Sequence, residues 1–112
     1  MELYHDGVRL GALTRHFYET PWASAWLVAD DPAAVARYAA ICALHACVEQ
    51  LPDELPCAEA NARYEQELAA RGLDETQLDG YWRPWVVVMP DGERREITPP
   101  HVEPDGYLTW RW

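Results

Sequence analysis

Cys42, His45 and Glu49 stand at i, i+3 and i+7 in an alanine-rich stretch. On a helix this spacing gathers a thiol, an imidazole and a carboxylate on one face. Zinc accepts such ligands, and Cys57 or a further His could supply a fourth. Structural zinc sites usually bring their ligands in short loop pairs, however, and no such pair is present. The same trio could be read as a His-assisted cysteine nucleophile, but it has no oxyanion site and no third orienting group. A core cysteine beside a histidine hydrogen-bonded to a carboxylate accounts for these residues without any chemistry. No catalytic residue, metal site or cofactor is therefore assigned.

Other reactive groups lead to the same place. The acidic pairs Asp30/Asp31, Asp53/Glu54 and Asp74/Glu75 fall at a helix start or in loops, where carboxylates cap and solvate more often than they catalyse. There is no GxGxxG, P-loop or HExxH motif, and the only serine, Ser24, lies in an apolar stretch. His5, His16 and His101 fall in or beside strand-like segments.

The stretch from Gly80 to Trp85 (GYWRPW) is of another kind. Trp, Tyr and Arg dominate binding energy at protein interfaces, and Pro84 limits strand pairing at this point. Tyr81, Trp82, Arg83 and Trp85, together with Trp22, form the candidate binding set. The six tryptophans fall as three close pairs, Trp22/Trp26, Trp82/Trp85 and Trp110/Trp112, each in a stretch that reads as strand.

These residues need elements to position them. Asp6-Gly7, Asp91-Gly92 and Asp105-Gly106 separate β-forming segments and suit two-residue hairpin turns. The strands expected are Glu2 to His5, Val8 to about Tyr18, Ala23 to Ala29, Trp82 to Met89, Glu93 to Thr98 and Tyr107 to Trp112. Asp31-Pro32 marks a helix start, and an almost wholly apolar helix follows to about Gln50, as for a sandwiched element. A second helix runs from about Cys57 to Arg71, with Gly72 as its left-handed stop. Its residues Glu59, Arg63, Glu67 and Arg71 make a solvated charge stripe, while Ala58, Ala62, Leu68 and Ala69 suit close packing on the first helix. Leu73 to Asp79 reads as a loop or short turn of helix.

The expectation is one α+β domain over residues 1–112, with a mainly antiparallel sheet of five to six strands in βββ-αα-βββ order and a helical pair on one face. Two segments, ASAWLVA (23–29) and WVVVM (85–89), are apolar on both faces, yet the helices cover only one. The other face must curl on itself, pair with a second copy or meet a partner.

Composition narrows the partner. The chain has nine arginines, no lysine and nineteen acidic residues, for a net charge of −10 spread over its whole length. Such a field repels nucleic-acid phosphates and anionic membranes and favours a basic protein. Absence of lysine beside sixteen alanines suggests a GC-rich, bacterial genome. Three cysteines without a CxxC spacing read as buried free thiols in a reducing cytoplasm, since Cys42 and Cys47 would point about 140° apart on a helix. No secretory leader or membrane span is evident. The reading is a small acidic cytoplasmic module that binds another protein, as an inhibitor of immunity, antitoxin or anti-defence type. The alternatives are a small-molecule or metal site on the concave side of the sheet, lined by His16, Trp22, Trp26 and Trp110, or a homodimeric accessory protein.

Overall fold

A computed structural model describes all of residues 1–112. The elements are β1 (Glu2–His5), β2 (Val8–Glu19), β3 (Trp22–Ala29), α1 (Pro32–Glu49), α2 (Cys57–Ala70), α3 (Glu75–Tyr81), β4 (Trp85–Val88), β5 (Arg94–Ile97), β6 (His101–Val102) and β7 (Tyr107–Arg111). The seven strands form one antiparallel sheet in the order β5-β4-β1-β2-β3-β7-β6. This is the expected α+β architecture with one more strand and one more helix.

The extra strand shows how the sheet deals with its two apolar faces. β5 and β6 lie at opposite edges of the sheet, yet only Thr98, Pro99 and Pro100 separate them in the chain. Thr98 sutures the gap: its N–H donates to the Arg111 carbonyl at 3.4 Å, and its Oγ1 accepts from the Arg111 N–H at 3.2 Å. The sheet therefore curls until its edges meet across a proline kink, which leaves no long unpaired edge strand.

Inside the curl, alternation puts Leu3, Ala25, Val87, Leu108 and Trp110 into a single core that also takes Ile41 and Leu44 from α1. Two β-bulges adjust the inward face of β2. The first lies where Leu3 opposes Gly11 and Tyr4 opposes Arg9, so that Leu10 is the extra residue. Leu10 and Leu13 then turn inward while Val8 is exposed, so simple alternation through Val8, Leu10 and Ala12 does not hold. Gly11 is required there: a Cβ would sit 2.1 Å from the Val28 carbonyl oxygen. The second bulge separates Thr14 from Phe17 and places Arg15 at φ 53°.

Of the three Asp-Gly turns, only Asp6-Gly7 has positive φ at both residues. The other two are three-residue Pro-Asp-Gly loops. Gly92 and Gly106 donate back to Met89 and Glu103, and Asp91 and Asp105 each accept from the N–H two residues on.

α1 begins as its sequence dictates, with Asp31 accepting from the Ala33 N–H at 3.0 Å and Pro32 in the first turn. Asp31→Ala is expected to cost about 1 kcal/mol and to lower the melting temperature by about 4 °C in calorimetry. Buried residues cover much of α1's circumference, from Ala34 and Val35 to Ile41 and Leu44. α2 is the reverse, with no fully buried residue. It leans on the core through half-buried Tyr64 and Leu68, while Ala58, Ala62 and Ala69 stay in solvent. The expected lean alanine seam is not the contact, because the two larger side chains bury more apolar area than three methyls. Two of its charge pairs form, Glu59–Arg63 at 3.6 Å and Glu67–Arg71 at 3.1 Å.

Candidate protein-binding groove

α3 is absent from the sequence reading as a full helix, yet it organises the surface. Asp74 and Gln77 make a reciprocal capping box at its start, with bonds of 2.8 and 2.9 Å. The helix then separates its side chains by spacing. Leu78 and Tyr81 turn into the core, while Glu75, Asp79 and Trp82, at i, i+4 and i+7, stay on the solvent side. Trp82 caps the helix C-terminus and is not in a strand.

Beneath the groove, Tyr81 is held from several directions. Its hydroxyl donates to the Pro100 carbonyl and lies 3.3 Å from Cys42 Sγ, which also accepts from the Val102 N–H at 3.4 Å. Burial, and then the Cys42 contact, hold the Tyr81 phenol far above its ordinary range, so it stays a neutral donor. The Tyr81 carbonyl accepts from Trp85 Nε1 at 2.7 Å. Trp85 in turn stacks on His5 at 4.0 Å, and His5 Nδ1 meets the Tyr38 hydroxyl at 2.7 Å. Cys42 and Tyr81 thus tie α1 and α3 to the proline kink that closes the sheet.

His5 has a titration consequence. Burial pushes its imidazole below 6.5, against a raising influence from the Gly80 backbone. Below about pH 6.5 the unfolded chain takes up a proton that the folded chain resists, so stability falls with falling pH by up to about 1.4 kcal/mol per unit until the folded value is reached. Urea unfolding at pH 7.5 and 5.5 is expected to show this loss in the wild type and not in His5→Phe.

Above this support, Trp82 is 63% exposed and stacks on His45 of α1, with centroids 5.7 Å apart and planes 25° from parallel. An open pocket lies on each side of the stacked pair. One, of about 430 Å³, is walled by His45 and Glu49 of α1, Tyr64 of α2, Glu75 and Asp79 of α3, and the capping Trp82. The other, of about 320 Å³, runs past Cys42 to Pro99, Pro100 and His101. Tyr64 donates to Glu75 at 3.4 Å, and burial followed by the Glu75 carboxylate raises its phenol pKa. Glu49, Glu75 and Asp79 take part in none of the chain's ion pairs. Their charge therefore faces the groove without a cation of the protein's own.

The candidate binding residues separate. Trp82 and Arg83 are exposed side by side. Tyr81 and Trp85, 4% and 1% exposed, belong to the core. The reason is local: Tyr81 ends a helix and Trp85 begins a strand after Pro84, so one alternation does not run through all four residues. Trp22 is exposed on the outer face of β3, under the Arg111 guanidinium at 5.5 Å, away from Trp82 on the helical side. The concave aromatic set does not assemble either. Trp110 points inward with His16 stacked on it at 6.1 Å, while Trp22 and Trp26 point outward, Trp26 against Tyr107. Cys42 is engaged in the core and His45 in the tryptophan stack, and no three His, Cys, Asp or Glu side chains are placed to hold a metal ion. Cys42 is buried, but Cys47 is half-buried and Cys57, at the start of α2, is exposed, so the thiols are not uniformly internal.

Tyr64, Glu75 and Asp79 were outside the sequence-derived set. The signal for two of them was present in Asp74-x-x-Gln77, which starts a helix and so puts Glu75, Asp79 and Trp82 in line. No family model matches the chain, and no curated protein or solved structure matches it.

Proposed function

We propose that this chain is a small acidic protein-binding module that works by occupying a basic partner protein, in the manner of an immunity, antitoxin or anti-defence inhibitor. The observation that carries the reading is Trp82. A large indole held mostly in water, fixed against His45 and bordered by three carboxylates without cations, has the composition of an interface hot spot. The net charge of −10 steers a basic partner toward it. No helix is long and apolar enough to cross a membrane, and the accessible thiols Cys47 and Cys57 suit a reducing cytoplasm.

The test is capture followed by reconstitution. Proteins retained by the wild-type chain and lost with Trp82→Ala are identified and purified, and binding is remeasured between the two pure components. A basic protein that binds directly, more weakly as salt rises, supports the reading. Retention that is indifferent to both Trp82 and salt overturns it.

Self-association is a second reading, favoured by Phe17, Trp22 and Val28 on the outer face of the sheet, each more than half exposed. Sedimentation at increasing concentration, with Trp22→Ser as control, distinguishes it: a dimer abolished by that change would place the interface there.

A further inference from the structure

We infer that the pocket between α1 and α3 receives the guanidinium of an arginine side chain carried by the partner, an assignment that rests on the protein-binding reading above. The walls define the occupant. One is the indole of Trp82, held in place by its stack on His45. The others bring Glu49 from α1 and Glu75 and Asp79 from α3, with the Tyr64 ring at the side. An anion would be repelled, and an apolar group would leave three carboxylates without compensation.

Among cations, a guanidinium fits these walls better than an ammonium. Its flat face stacks on an indole, and its edge carries five donors in a fork that matches carboxylate oxygens. An ammonium is a compact, strongly hydrated charge that can attract the carboxylates but cannot stack. Val48 and Leu78 also line the pocket, and they give the methylene stem of an arginine an apolar surface to run along. A space of about 430 Å³ holds the whole side chain. The tethered Tyr64 hydroxyl, which donates to Glu75, leaves that carboxylate further lone pairs for an incoming donor.

The experiment titrates acetyl-arginine amide into ¹⁵N-labelled protein and follows the Trp82 indole N–H resonance, assigned by its absence in Trp82→Phe. Acetyl-lysine amide and acetyl-citrulline amide serve as matched probes. The expected result is a saturating shift with a Kd on the order of 1 to 10 mM, as befits a single side chain. Citrulline, which keeps the shape without the charge, should bind at least about tenfold more weakly, and lysine about fivefold. The double variant Glu49→Gln, Asp79→Asn, both at exposed positions, should keep its melting temperature and lose the saturation.

The assignment is overturned if the Trp82 resonance fails to saturate, if citrulline binds as well as arginine, or if the double variant still binds. Should a reconstituted partner bind through Trp82 while arginine amide does not, the arginine assignment falls and the protein-binding reading stands. Should arginine saturate the pocket while no protein binds, the pocket's preference stands and the protein-binding reading falls.

Discussion

Trp85→Ala will destabilise the domain by about 3 to 5 kcal/mol, the cost typical of deleting a large aromatic from a packed core. The indole is 1% exposed, stacks on His5, meets Tyr38 edge-on at 5.0 Å and donates to the Tyr81 carbonyl. Its removal leaves a cavity, frees the Tyr81 carbonyl from its donor and loosens the joint between α3 and β4. A domain of this size has only about 5 to 15 kcal/mol of stability, so the variant should melt more than about 12 °C lower in calorimetry or fail to accumulate as folded protein. A melting temperature within a few degrees of wild type would mean that Trp85 does not hold the core together.

Trp82→Ala, three residues earlier, should behave in the opposite way. Its indole is mostly in solvent, so the folded domain loses the His45 stack and an edge contact with Tyr81, and stability should change by no more than about 1 kcal/mol. Affinity for the partner should fall by about 30-fold or more, equivalent to at least about 2 kcal/mol, the scale of an aromatic hot spot at an interface centre. Isothermal titration of the purified pair measures it. Equal affinities for Trp82→Ala and wild type would remove Trp82 from the interface. A large loss of stability would instead reassign the residue to the core.

The contrast between these two tryptophans marks how far the sequence could be read. Both sit in GYWRPW, and composition alone placed both on a binding surface. What separates them is the change from helical to strand geometry across Arg83-Pro84, a boundary that depends on α3 being a complete helix. The Asp74-Gln77 box announces that helix, but a seven-residue element buried through only Leu78 and Tyr81 leaves a faint periodic trace. Strong local signals were decisive elsewhere. Asp31-Pro32 begins α1 where expected, and Gly72 takes a left-handed φ of 66° after α2.

Long-range features were less accessible. The two-residue strand β6 pairs locally with β7 across the Asp105-Gly106 loop, but the bond from Arg111 back to Thr98, thirteen residues away, has no local pattern that encodes it. The surplus of apolar strand surface was visible in ASAWLVA and WVVVM, and curling is the physical answer for the inner side of the sheet. The outer side still presents Trp22 and Val28. The bulge at Leu10 moved the inward face of β2, which is why the exposure of Val8 and the burial of Leu13 did not follow from alternation.

Amide hydrogen exchange across the chain, compared between the free protein and its complex with the reconstituted partner, tests most directly whether the helical groove is where a partner sits. Protection concentrated between His45 and Glu49 of α1 and between Glu75 and Trp82 of α3, weakening as salt is raised, is the expected footprint. Protection confined to the outer strands around Phe17 and Trp22, with the Glu75 to Trp82 segment unchanged, would contradict it.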